Sequence, residues 1–235
     1  MNTMRIPFSN ITSDIMNLAW PNLCQICEKP LVQGEKHLCM NCLYELPKTD
    51  FKSFRMNIAA DRFYGKIPFE KITAGFLYQK ESKVQTVLEL LKYKGEKELG
   101  ECLGSFAGSR IASTGFFKDI DLIVPVPLHK DKAKKRGYNQ SEWIAKGLSQ
   151  ISGIAYDSTH LHRVVKNPTQ TTKSIWERWE NAQGLFELRD TEIFSGKHIL
   201  LVDDVLTSGS TLCACGQAIL KAPEAKISFF ALALA

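Results

Sequence analysis

This chain has no apolar run approaching the roughly 18 residues of a membrane span, which excludes a helical membrane anchor of ordinary length. Its first twenty residues, MNTMRIPFSNITSDIMNLAW, mix polar and apolar positions and lack an apolar signal core, so the expectation is a cytoplasmic protein. No G-x-x-x-x-G-K-[ST] occurs, which excludes a Walker-type phosphate loop. Internal repeats and low-complexity segments are absent too, so solenoids and disordered tails are set aside. Charge of one sign does not dominate: a net charge of +5 suits an anionic ligand without establishing nucleic-acid binding. A disulfide framework fits poorly, because the seven cysteines are an odd number and four of them stand in C-x-x-C pairs. What remains is a 235-residue chain with 44% hydrophobic residues, enough for one α/β domain and a small accessory module.

The densest stretch is 198–221, HILLVDDVLTSGSTLCACGQAILK. His198–Val202 is a short run suited to one buried strand. Asp203 and Asp204 follow, then Thr207, Ser208, Gly209, Ser210 and Thr211, and Leu212–Lys221 can continue as a helix. Ligands of open α/β sheets sit at the carboxyl ends of strands. A helix start there offers unpaired N–H groups and the positive end of a dipole, which suits a phosphate. Gly209 permits close backbone approach, and the hydroxyls add donors. The two carboxylates suit sugar hydroxyls or a divalent metal that bridges to phosphate. The stretch therefore predicts a ligand with a phosphate at one end and a sugar diol at the other.

Earlier in the chain, residues 9–20 have the spacing of a short amphipathic helix ended by Pro21. Cys24 and Cys27 form one C-x-x-C pair and Cys39 and Cys42 a second, with residues 28–38 between them. Two such knuckles make a tetrahedral four-thiolate site for structural zinc, with His37 as the one competing ligand. Residues 51–70 read as a linker or irregular stretch between a module at 1–50 and a domain at 71–235. In that domain, 71–79 reads as a strand, 84–92 and 96–112 as helices, and 121–128 as a strand whose exit Pro125 and Pro127 stiffen. Lys92 and Lys94 either pair with a helix end or lie near the ligand. The run 129–140, HKDKAKKRGYNQ, reads as a basic loop before a helix at about 141–151. Lys135 and Arg136, with Gly137 allowing close approach, are candidates for gripping two adjacent phosphates. Trp176 and Trp179 fall at helical spacing, which fits packing better than base stacking, and strands are expected at 184–188 and 227–233. Cys102, Cys213 and Cys215 read as buried thiols on helices, with Cys213 close enough to a helix start for its pKa to fall.

Val202–Thr211 resembles the phosphoribosyl-pyrophosphate (PRPP) motif of type I phosphoribosyltransferases, with Ser208 where a second threonine is common. Several blocks in order resemble the ComF competence-protein family: Trp20-Pro21 before the first cysteine pair, 91–95 (LKYKG), 124–127 (VPVP), 136–140 (RGYNQ), and then Arg163, Gln170, Arg178 and Asn181. The chain departs from that family at its end, where a basic residue is common after the last strand and this chain has Ala231–Ala235. The resemblance implies a zinc ribbon joined to a phosphoribosyltransferase-like domain, a largely parallel sheet with helices on both faces. It implies PRPP bound with magnesium, Asp203 and Asp204 as the catalytic pair, and residues 207–211 on the 5′-phosphate. Arg163, Gln170, Arg178 and Asn181 would line a hood over the ligand or contact the acceptor, although Arg178 also has Glu177 and Glu180 as simple surface partners. Two functions fit. One is a phosphoribosyl transferase linked to DNA uptake in natural transformation, with an unidentified acceptor and competence proteins as partners. The other is a non-catalytic handler of single-stranded DNA that uses the PRPP site as a nucleotide or phosphate sensor.

Overall fold

The computed structural model describes residues 21–93, 96–164 and 184–235. The chain divides into two compact units, Met1–Leu46 and Pro47–Ala235, slightly before the boundary expected at residue 50. The helix expected over 9–20 lies outside the described residues. In the smaller unit a short helix, α1 (Met40–Tyr44), starts at Cys39, whose sulfur accepts the Cys42 N–H. Among the described residues of this unit, the buried apolar set is Cys24, Leu38, Cys42, Leu43 and Leu46. So small a core leaves little hydrophobic stabilisation.

The larger unit runs β1 (Ile72–Leu77), α2 (Lys83–Tyr93), α3 (Lys97–Ala112), β2 (Leu122–Pro125), α4 (Lys130–Arg136) and α5 (Gln140–Ser152). It continues with β3 (Leu161–Arg163), β4 (Phe186–Leu188), β5 (His198–Leu206), α6 (Ser210–Ile219) and β6 (Lys226–Leu234). Among the described residues the main sheet has the order β1-β6-β5-β2, with every pairing parallel. β3 and β4 form a separate antiparallel pair. The centre of the sheet reads as continuous apolar residues because both faces are covered. On one face Ile199, Leu201, Phe229 and Ala231 share an apolar layer with Leu212, Cys215 and Ile219 of α6. On the other, α3 and α5 meet at glycines. A Cβ on Gly104 would stand 2.4 Å from the Ile144 carbonyl oxygen, and one on Gly147 would stand 2.2 Å from that of Glu101. Gly100, Gly104 and Gly108 repeat every four residues, which puts them on one stripe of α3.

The order of the strands fixes where a ligand can sit. After β2, the chain passes through α5 and returns outside β2, where Tyr156 makes a parallel bridge to Ile123. After β5, it passes through α6 and returns on the other side, as β6. The neighbours β2 and β5 thus send their connections in opposite directions, and the crevice of such a sheet lies at the carboxyl ends of those two strands.

Three elements differ from expectation. Residues 51–70 are mostly irregular, but they do not act as a free linker: Phe63 is buried and stacks on Phe229 with ring centroids 4.3 Å apart. Ala59, Ala60 and Ile67 join the same apolar layer. The basic run is a helix rather than a loop. Lysine, alanine and arginine favour helix, the His129 ring accepts the Asp131 N–H at its start, and Gly137 stops it with φ +78°. Lys134, Lys135 and Arg136 fall in its last turn, where cations face the negative end of the dipole. Finally, β5 extends past the expected Val202 to Leu206, because β6 continues to pair with it. β2 pairs only as far as Pro125 with Val202, plus the Val126 N–H to the Val202 carbonyl at 2.8 Å. Asp203 and Asp204 therefore lie on the strand, on a segment that has lost its neighbour on the β2 side.

At the opposite end of β5, His198 is buried, with Nε2 2.8 Å from Ser228 Oγ. Burial holds its pKa below the usual 6.5, and the nearby Lys71 charge adds to this. The unfolded chain thus binds this proton more readily than the folded one. The stability from a neutral His198 is fully present above the unfolded value and is lost as pH falls through the folded value. Denaturation midpoints should fall from pH 7.5 toward pH 5.5, and His198→Gln should flatten that fall relative to the parent chain.

Candidate functional site

Two constellations stand out, one in each unit. In the smaller unit the sulfurs of Cys24, Cys27, Cys39 and Cys42 all lie within 4.8 Å of one another. Cys27 Sγ and Cys39 Sγ are 3.7 Å apart. Four thiolates at about 2.3 Å from one tetrahedral ion stand about 3.8 Å from each other, so the spacing fits a single metal ion. The Cys39 N–H donates to Cys24 Sγ at 3.3 Å and the Cys42 N–H to Cys39 Sγ at 3.5 Å. Burial opposes a thiolate at Cys24, but N–H donors from Cys27, Cys39 and Ile26 outweigh it and bring that thiol down to about 6. Cys42, buried beside the other sulfurs, is pushed up. His37 offers its carbonyl to the Gln25 N–H at 3.0 Å, and its ring is not part of the four-ligand group.

In the larger unit a crevice of about 300 Å³ opens where β2 and β5 end. Asp203 and Asp204 form one wall. The Asp203 carboxylate accepts the Ser141 hydroxyl at 3.2 Å and the Asp204 N–H at 2.9 Å. Burial first, and then the adjacent Asp204 charge, push Asp203 up to about 8. Lys92, from the end of α2, places Nζ 3.4 Å from Asp204 Oδ2. Arg136 and Arg163 also line the crevice. Arg136 Nη1 donates to Gln140 Oε1 at 2.8 Å, and the Arg163 guanidinium lies 5.5 Å from the Phe186 ring centroid.

Two helices begin here. Asn139 caps α5 by accepting the Ser141 N–H at 3.3 Å, while its Nδ2 donates to the Val126 carbonyl at 3.0 Å and ties the helix start to the exit of β2. α6 begins after Gly209, which has φ +77° and serves as N-cap without a side chain. Ser208 Oγ, in the loop before it, and Ser210 Oγ, on its first residue, are 2.9 Å apart. Positive helix ends, two guanidinium groups and an ammonium thus converge on one crevice with a pair of carboxylates. That arrangement can hold a polyanion beside a group rich in hydroxyls.

Of the residues singled out from sequence, Asp203, Asp204, Thr207, Thr211, Arg136 and Arg163 line this crevice together, and so does Lys92, the nearer-to-ligand alternative for that lysine pair. Ser208 and Gly209 belong to the adjoining loop, and Ser210 opens α6. Lys135 is exposed, and Gly137 caps α4; neither lines the crevice. Gln170, Arg178 and Asn181 lie outside the described residues, as do Trp176 and Trp179. Sequence reasoning did not assign Asn139, Gln140 and Ser141 to the site. The signal available was Asn139 directly before an apolar-periodic helix, an N-cap pattern. Cys213 is buried on α6, as expected. The lowering of its pKa that a helix start can cause does not occur, because burial pushes its thiol up to about 11.

Comparison with known proteins adds to this geometry. Residues 111–234 match the phosphoribosyl transferase domain family. The chain is 26% identical over 227 residues to the Salmonella typhimurium protein named DNA utilization protein YhgH, covering 92% of this chain and 98% of that one. It is 27% identical over 213 residues to competence protein F of Haemophilus influenzae, covering 90% of this chain and 84% of the relative. The same identity holds for competence protein ComFC of Bacillus subtilis, with 90% of this chain and 77% of the relative covered.

Proposed function

Because this chain belongs to the phosphoribosyl transferase domain family, we propose that its β2–β5 crevice binds PRPP and transfers phosphoribose to an acceptor, releasing pyrophosphate. The observation that carries this reading is the acid pair, Asp203 and Asp204, set beside the start of α6 where the sheet's connections reverse. The roles divide by chemistry. The loop 207–211 and the start of α6 take the 5′-phosphate, so that binding energy remote from the reacting carbon orients it. The two acids accept hydrogen bonds from the ribose hydroxyls and stabilise positive charge developing on the ring. Arg136 and Arg163 grip the pyrophosphate. No protein nucleophile is needed.

The donor set also fits magnesium, since the Asp203 and Asp204 carboxylates and the Ser141 hydroxyl are hard oxygen ligands. Bound through the two acids, magnesium would neutralise charge on the departing pyrophosphate. In the smaller unit the four thiolates leave no open position, so we assign them a structural zinc. The relatives' names, DNA utilization protein and competence protein, support a role in DNA use or competence, which we place in the cytoplasm and link to DNA uptake. They also support a second reading, a non-catalytic protein that handles single-stranded DNA and senses a nucleotide or phosphate in the same crevice.

Calorimetric titration with PRPP, with and without magnesium, and with short single-stranded DNA as competitor, separates the two. Arg136→Ala should weaken PRPP binding by about ten- to a hundredfold, the effect of losing hydrogen bonds to a charged group. Lys135→Ala, outside the crevice lining, should change it by no more than about twofold, as for an exposed charge. Equal losses of DNA affinity at Lys134, Lys135 and Arg136, with PRPP affinity unchanged, would favour the DNA reading. The slope of log K against log salt would then flatten by roughly 0.7 per lost contact.

A further inference from the structure

One ion pair in the crevice is unexpected in a site read as binding both phosphate and a divalent cation. Lys92 Nζ lies 3.4 Å from Asp204 Oδ2, and the two side chains are only 25% and 19% exposed. The lysine is not a surface cation lying against an acid by chance. It extends from the end of α2, where Leu91 is fully buried and its carbonyl accepts the Tyr138 hydroxyl. Tyr138 stands between Arg136 and the start of α5, so this bond fixes the lysine's helix to the elements that carry Arg136 and Ser141. The crevice then holds three cations, Lys92, Arg136 and Arg163, against two carboxylates. An ammonium on Asp204 and a divalent cation on the same carboxylate repel each other strongly at this separation in a half-buried site.

Resting on the PRPP reading above, we propose that Lys92 is the resident counter-ion of Asp204, which a divalent cation must displace, so that a phosphorylated ligand enters this crevice with little dependence on metal. With Asp204 already neutralised, the acid pair does not repel the ligand's phosphates. On ligand arrival the same ammonium is free to turn toward a phosphate oxygen. A lysine that merely braces the end of α2 would do neither.

The test titrates manganese(II) alone into the full-length chain, followed by the paramagnetic resonance of the free ion. Lys92→Met and Lys92→Gln should each bind manganese at least about tenfold more tightly than the parent, as expected when a neighbouring like charge is removed. Lys92→Arg should behave as the parent does, and adding Asp204→Asn to Lys92→Met should abolish the gain. In a second arm, parent affinity for PRPP should change by less than about threefold between magnesium-containing and magnesium-free buffer, whereas that of Lys92→Met should change by more than about tenfold. Two uncharged replacements guard against one that fails to fold, and melting curves identify it. No gain in manganese affinity in a folded Lys92→Met or Lys92→Gln chain overturns the proposal, as does parent binding of PRPP that collapses without magnesium. Failure of every chain to bind PRPP under any condition would sink the PRPP reading instead, and the manganese comparison would still decide the counter-ion.

Discussion

Changing Asp203 and Asp204 together to asparagine is expected to weaken PRPP binding by on the order of a hundredfold or more, given about 1.5–3 kcal/mol for each hydrogen bond to a charged group. Asparagine keeps the volume and one acceptor oxygen, so the loss isolates the charge. Binding of a bare phosphate monoester should survive, because the 207–211 loop and the start of α6 remain. Asp203→Asn alone should not lower thermal stability, since Asp203 sits in a setting where burial and its neighbour already oppose ionisation. Gly209→Val reverses the pattern. A Cβ at φ +77° is strained, and it would lie 3.2 Å from the Arg62 Cβ and 3.3 Å from the Phe63 ring, so the phosphate loop is displaced while the acids stay. Calorimetry with the two ligands on the two variants checks this division. Equal loss of both ligands in both variants would show that the roles are wrongly assigned.

The smaller unit should respond far more sharply. Purified without chelator, the protein should carry about one zinc per chain, the number that one four-cysteine site holds. Cys39→Ser should release it and unfold this unit, while the helix and strand signals of the larger unit persist. The reason lies in the buried set of the described residues, where Cys24 and Cys42 stand beside only Leu38, Leu43 and Leu46. Zinc binding contributes an apparent ~10–16 kcal/mol in comparable small sites, more than the roughly 5–9 kcal/mol expected from burying three leucines. Cys39 carries more than one tie: it caps α1 through its sulfur, and its N–H donates to Cys24. Metal analysis paired with circular dichroism and limited proteolysis would read both effects. Metal-free protein that keeps this unit protease-resistant would remove zinc from the folding of the unit.

Much of the site was legible because it is local. The segment 198–211 carries its strand, acids, hydroxyls and glycine in one run, and the two C-x-x-C pairs announce their own turns. The features that were not legible depend on contacts between distant segments. Lys92 meets Asp204, and Ser141 meets Asp203, only after the sheet has assembled. Phe63 belongs to the core because Phe229 receives it, yet the irregular residues around it show no periodicity. The helix at 130–136 is a different kind of miss. Its residues favour helix and it ends at a glycine, but a dense run of positive charge after a strand also has the pattern of an anion-binding loop. The extension of β5 to Leu206 was hidden because acids and hydroxyls do not look like a strand. Pairing with β6 overrides that local preference.

The glycine stripe of α3 bears on how tolerance to substitution will be distributed along this chain. At Gly104 and Gly147 even a methyl group collides with backbone rather than with a side chain that could swing away. These positions should therefore reject nearly every residue in a saturation screen, as the acid pair is expected to do, although neither lines the crevice. Intolerance will have two origins here, and abundance tells them apart: a glycine variant disappears from the cell as protein, whereas an acid variant accumulates and fails only at its ligand. The same seam limits recombination with relatives, since α3 and α5 have to be exchanged as a pair to keep their interlocked backbones compatible.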